Sequence, residues 1–155
     1  MSTIRIAGAP ISWGVCEVPG WGHQMGPDRV LTEMAALGLE AMEFGPLGFL
    51  PEDAEGRKAT LAKHNMSAVG GFFPAVLHYP DVDPLPSIAT ELEAYVAADA
   101  EVLVLAAETG LDGYDAPRPV MTEDNWQTMA TNLTRISEHA AALGIMVVIH
   151  PHAGT

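Results

Sequence analysis

Four times along this chain a helical pattern ends near a glycine or asparagine and runs straight into a short apolar, strand-like segment. Ala35-Ala36-Leu37-Gly38 leads into Leu39 to Phe44, and Lys63-His64-Asn65 leads into Ser67 to Phe73. Val96 to Asp99 then leads into Val102 to Ala107, and Ala142-Leu143-Gly144 into Ile145 to Ile149. An opening strand, Ile4 to Ile11, precedes them all. Strand starts recur at roughly 27 to 44 residues, the span of a strand with its crossover helix, so the string reads βαβαβαβαβ. Strands that alternate with helices imply a parallel sheet.

Each helix carries its own signals. Pro27 and Asp28 open the first, Val30, Leu31, Met34 and Leu37 share a face, and Gly38 occupies the place of a left-handed cap. The second, Glu52 to His64, is weaker, with Gly56 inside it. Pro84, Pro86 and Ser87 start the third, which is expected to bury Ile88, Leu92 and Tyr95. Thr122 caps the last, with Glu123 and Asp124 in its first turn. Along that helix Trp126, Met129, Leu133, Ile136, Ala140 and Leu143 recur at three- and four-residue steps. The methionines Met34, Met129 and Met146 read as packing. Val102 to Leu105 and Ile145 to Ile149 are nearly continuous in apolar residues, as strands covered on both faces are.

Composition narrows the partners. With 155 residues, 48% of them hydrophobic and 17% charged, the chain is one globular domain, 1–155. Its net charge of -13 and 7 basic residues offer no patch for phosphate backbones or an anionic membrane surface. No apolar run approaches the ~18 residues of a membrane span, and the N-terminus lacks a signal-peptide pattern. A lone cysteine, Cys16, forms no internal disulfide and has no paired base, which fits a cytoplasmic protein and gives Cys16 no nucleophilic role.

Two parallel architectures accept the string. Length favours a flavodoxin-like open sheet, since an eightfold barrel takes ~250 residues and three more strands. Yet neither Gly-x-Gly-x-x-Gly nor Gly-x-x-x-x-Gly-Lys-Ser/Thr occurs, so nucleotide binding at a glycine-rich first turn is unsupported. In either architecture ligands bind beyond the C-terminal ends of the strands. Standing there are Ser12 and Trp13, Glu43, Phe72-Phe73-Pro74, Glu108, and His150-Pro151-His152. Two carboxylates, two imidazoles and aromatic rings are thus expected at one rim, with His150 and His152 on the same strand face. Trp21, in a loop rich in glycine and proline, is hard to place in a core. Asp112, Asp115 and Glu123 read as surface charges near a helix start.

Three of these segments carry a resemblance. Ala9-Pro10-Ile11-Ser12-Trp13-Gly14, Met42-Glu43-Phe44-Gly45-Pro46 and His150-Pro151-His152-Ala153-Gly154-Thr155 resemble the sugar phosphate isomerase/epimerase family, above all its inosose dehydratase branch. The resemblance implies a xylose-isomerase-like TIM barrel, overturns the length argument, and makes this α/β chain a partial (β/α)8 barrel. It then holds strands one to five and helices one to four, truncated after strand five. An inactive fragment that self-associates through the open barrel, as a homo-oligomer, is the corresponding expectation.

For the complete enzyme the resemblance implies a small-molecule sugar or cyclitol as substrate and a divalent metal, Mn, Co or Mg, held largely by residues past Thr155. His150 is its expected ligand here, at about the position where the wider family often has Glu. Glu43 and His152 are the expected catalytic residues, and Trp13, Glu108 and Phe73 the substrate-binding ones. The implied reaction is isomerisation or epimerisation by proton transfer next to a carbonyl, through an enediolate. Loss of a β-hydroxyl from that intermediate makes an inosose dehydratase instead, and a non-catalytic sugar-binding or scaffold remnant is the rival outside enzymes.

Overall fold

The computed structural model describes Ile4 and residues 6–18, 20–111 and 116–151. A short 3-10 turn, Pro10–Trp13, precedes α1 (Pro27–Ala36), β1 (Ala41–Glu43), α2 (Ala54–Lys63) and β2 (Ser67–Ala75). Then come α3 (Leu85–Ala97), β3 (Val102–Ala107), α4 (Glu123–Ala142) and β4 (Met146–His150). The strands form a four-stranded sheet in the order β1-β2-β3-β4. Pairing is parallel between β1 and β2 and between β3 and β4. Each strand neighbours the next in sequence, so the reversal of order that defines a flavodoxin-like sheet is absent from the described strands.

The chain divides into two compact units, Met1–Gly71 with Glu93–Glu101, and Phe72–Leu92 with Val102–Thr155. In the first, Pro27 opens α1 with Asp28 in its first turn, and Val30, Leu31 and Met34 are wholly buried. Leu37, expected on that face, is 72% exposed because it is the cap residue, past the last buried turn. An acidic cap that the sequence reading passed over starts α2: Asp53 accepts a 2.7 Å bond from the Gly56 amide. From α2 the buried Arg57 lays its guanidinium 4.9 Å over the Phe44 ring, which meets Tyr95 edge-on at 5.0 Å. A Cβ on Gly71 would stand 2.7 Å from the Tyr95 hydroxyl, so β2 passes close against that ring.

The expected opening strand shrinks to one bridge. Gly8 pairs in parallel with Met42, the Gly8 amide donating to Ala41 O (2.8 Å) and the Glu43 amide to Gly8 O (2.9 Å). Pro10 has no amide hydrogen to continue a ladder and starts the 3-10 turn instead. Ile4 and Ile6 are 90% and 70% exposed. Among the described residues, four strands and a bridge therefore stand where five strands were expected.

In the second unit Leu77, Ile88, Leu92, Leu103, Leu105, Ile136 and Ala140 form the core. Thr122 caps α4 in a reciprocal capping box with Asn125. The buried line of α4 is Asn132, Ile136 and Ala140, while Trp126 and Leu143, expected inside, are half exposed near its ends. Met146 of β4 is exposed as well, because β4 is the last strand in the order and has a neighbour on one side only. Among the described residues no helix is long and apolar enough to cross a membrane.

Candidate functional site at the strand ends

In the first unit, two ladder bonds run Gly8 alongside β1 and hold the backbone just before and at Glu43. Phe44 faces Tyr95 and Arg57, so the alternation of the strand turns Glu43 to the opposite face. The Glu43 side chain is half-buried and makes no hydrogen bond or ion pair among the described residues. Just beyond it Gly45, at φ +78°, lets the Pro10 ring approach to 2.8 Å from where a Cβ would be. This contact brings the turn bearing Trp13 to the strand end bearing Glu43. Trp13 is half-buried, and its Nε1 donates to Glu33 Oε2 at 2.9 Å. Arg29, then Trp13, by hydrogen bonding hold the Glu33 carboxyl below the usual carboxylate range. The indole edge is thus fixed from α1.

After Trp13 the chain folds back on itself. Gly14 O accepts from the amides of His23 (2.9 Å) and Gln24 (3.0 Å). The Gln24 side-chain amide donates to Cys16 O (3.1 Å) and Trp21 O (2.9 Å). A side chain on Gly22, at φ +63°, would overlap Gly14 O, so that crossing requires glycine. Trp21 is 54% exposed.

In the second unit the Phe72 ring meets the His150 imidazole edge-on at 5.7 Å between centroids. Phe73, the residue singled out from sequence, faces the other way by strand alternation. The register sets His150 opposite Ala106, two residues before Glu108. The Glu108 amide donates to Ala75 O at 2.8 Å, prolonging the ladder past β3. Its side chain is exposed and unpaired among the described residues. His152, Asp112 and Asp115 lie outside the described residues.

A polar strap escaped the sequence reading. Asn125 Nδ2 donates to His78 O and Asn132 Nδ2 to Leu77 O, both at 3.0 Å. Arg135 donates to Asn132 Oδ1 (3.1 Å) and grips both oxygens of Asp83 (3.1 and 3.2 Å). His78 itself is buried beside Tyr79, its Nε2 has no hydrogen-bond partner among the described residues, and burial pushes its pKa down. The signal was present in sequence: Asn125 and Asn132, seven residues apart, fall on the face that carries Ile136.

As to a cation, among the described residues no three His, Cys, Asp or Glu stand together as metal donors. His150 is a single imidazole, and the described residues do not fit a divalent ion by themselves.

No family model matches the chain. It is 28% identical over 164 residues to an inosose dehydratase of Geobacillus kaustophilus, covering 100% of this chain and 53% of that protein. Among solved structures it superposes on the IolI protein with a bound zinc atom, with a TM-score of 0.69, 11% identity, and 96% of this chain against 51% of that one. D-Psicose 3-epimerase from Clostridium cellulolyticum gives a TM-score of 0.67 at 16% identity, covering 93% of this chain and 51% of that one. The fold is a partial eightfold barrel. The resemblance carried by the three motifs holds, and the chain spans about half the length of the curated relatives it matches. In such barrels ligands bind at the C-terminal ends of the strands. Glu43, Glu108 and His150 each stand at that end of their own strand.

Proposed function

We propose that this protein acts on a sugar or cyclitol by moving a proton on the carbon next to a carbonyl, with Glu43 and His152 as the proton-transfer groups. The observation that carries this reading is Glu43: a carboxylate at a strand end, its backbone fixed by the Gly8 bridge and its oxygens taken by no donor among the described residues. A positioned carboxylate of this kind removes a proton from carbon, and the electrons pass to the carbonyl oxygen as an enediolate. A proton returned to the same carbon from the other face gives an epimer, and one returned to the neighbouring carbon gives an isomer. Trp13, fixed by Glu33, and the exposed Glu108 serve to hold and orient the ring hydroxyls. Phe73 joins them as the apolar wall expected there, next to Phe72, whose ring meets His150 edge-on.

The similarity to inosose dehydratases favours a second outcome, in which the same intermediate expels a β-hydroxyl as water. Incubation of the full-length protein with an inosose and with D-fructose in deuterium oxide tests both. Exchange of deuterium into the carbon next to the carbonyl is expected. An unsaturated product from the inosose marks the dehydratase outcome, and an epimeric or isomeric ketose or aldose the first. Glu43→Gln and His152→Asn are each expected to lower exchange by ~10²–10⁴-fold, against no change for the surface variant Glu93→Gln. Equal exchange in all three variants overturns the assignment.

A further inference from the structure

We infer that Glu33 of α1 is a positioning residue for Glu43, acting through the segment from Gly8 to Trp13, an inference that rests on the function proposed above. That segment runs beside the end of β1 and meets it at two places. Gly8 makes its two ladder bonds with Ala41 and Glu43, and the wholly buried Pro10 lies against Gly45. Glu43 stands between these contacts, so the backbone that aims its carboxylate is set by where the segment lies. All of these residues belong to the first compact unit.

Two neighbouring residues of α1 hold the segment at its two ends. At the start, a Cβ on Gly8 would stand 3.1 Å from Met34 Sδ, so the buried Met34 packs directly on the bridge. At the far end Glu33 Oε2 accepts the Trp13 Nε1 hydrogen at 2.9 Å. Apolar packing is non-directional and leaves sliding free, whereas a hydrogen bond fixes both length and direction. An ionised carboxylate only accepts and an indole N–H only donates, so this pair has one arrangement. Arg29 Nε takes the other oxygen at 2.9 Å and leaves Oε2 to Trp13. By itself Arg29 with Glu33 is an ordinary exposed helix pair, four residues apart, that contributes little. The bond to Trp13 reaches 20 residues back in sequence, to the segment that flanks Glu43. Removing a proton from carbon demands close placement of the base, and a misplacement of about 1 Å costs up to ~10²-fold in rate.

The test compares variants of the full-length protein by steady-state kinetics on whichever of the inosose and D-fructose it turns over. The Glu33 side chain is 42% exposed, so its replacement leaves the core of α1 intact. Glu33→Ala is expected to lower kcat about 10- to 100-fold with KM within about twofold of the original, as a misplaced reacting group does. Glu33→Gln, whose side-chain oxygen still accepts from the indole, is expected to recover most of that loss, and Arg29→Gln to cost little. Trp13→Phe added to Glu33→Ala is expected to lower kcat no further, because both remove the same bond. Amide spectra of the 15N-labelled protein follow the same path without substrate: Glu33→Ala is expected to move the Gly8 and Glu43 resonances together with the Trp13 indole N–H. An unchanged kcat, a loss confined to KM, no recovery with Glu33→Gln, or Gly8 and Glu43 amides that stay in place each overturn the inference. In that event lost exchange in Glu43→Gln leaves the proposed function standing, whereas full exchange in Glu43→Gln refutes the function itself.

Discussion

The loop rooted at Gly14 and the segment that follows β2 both lack regular structure, yet their shapes come from different places in the chain. In the first, Gly14, Cys16, Trp21, Gly22, His23 and Gln24 hold one another, through two bonds to Gly14 O, the Gln24 bridge and a crossing only glycine permits. In the second, Leu77 O, His78 O and the Asp83 carboxylate are each met by a side chain of α4, some fifty residues further on. The hydrogen bonds that shape this loop all join residues close together in sequence. The strapped segment is ordered only when α4 has formed and docked, so its stability belongs to the unit rather than to itself.

That contrast is open to test. Gly22→Ala brings a Cβ onto Gly14 O at a positive φ and is expected to cost about 3 kcal/mol, read by urea denaturation, with faster amide exchange in residues 14–24 and none at Leu77. Exchange that spreads to Leu77 breaks the claim of local independence. Asn132→Leu strands the buried Leu77 O and is expected to cost about 2 kcal/mol while residues 14–24 keep their protection.

Acid sharpens the second half of the comparison. The pKa of His78 is depressed in the fold, so the unfolded chain binds the proton more readily. Stability is full above the ordinary imidazole value of 6.5 and falls as pH drops below it, toward the folded value. A His78→Asn variant is expected to show a shallower loss between pH 7 and 5, and an identical slope removes His78 from the account. The smallest effect is reserved for Asp83→Asn: its paired groups are about half exposed, and ~0.5 kcal/mol or less is expected by the same denaturation assay.

These tests bear on what a sequence reveals. The four helices and four of the strands were legible because each announces itself locally, by Pro27, by the Thr122 box, by glycine stops and by apolar runs. The opening strand was not, since whether Ile4 to Ile11 pairs depends on Pro10 and on what lies beside it. That Glu43 closes a strand was legible because a strand end is readable from the run that precedes it. Which of Phe72 and Phe73 meets His150 was not legible, because two adjacent rings in an apolar strand show no alternation that tells its faces apart. Asn132 and Arg57 were missed for a common reason: buried polar side chains look like surface ones until the groups that satisfy them are known.

The order of the sheet has a further consequence for how the molecule is made. Because each strand lies beside the one just before it, every pairing closes over a single intervening helix, and none waits for a distant part of the chain. Each parallel pairing still has to wait for its crossover helix to close, which makes it slower to form than a hairpin. On the ribosome, growth at the C-terminus would add one strand and one helix at a time to a sheet already laid down, each new strand covering the edge left by the last.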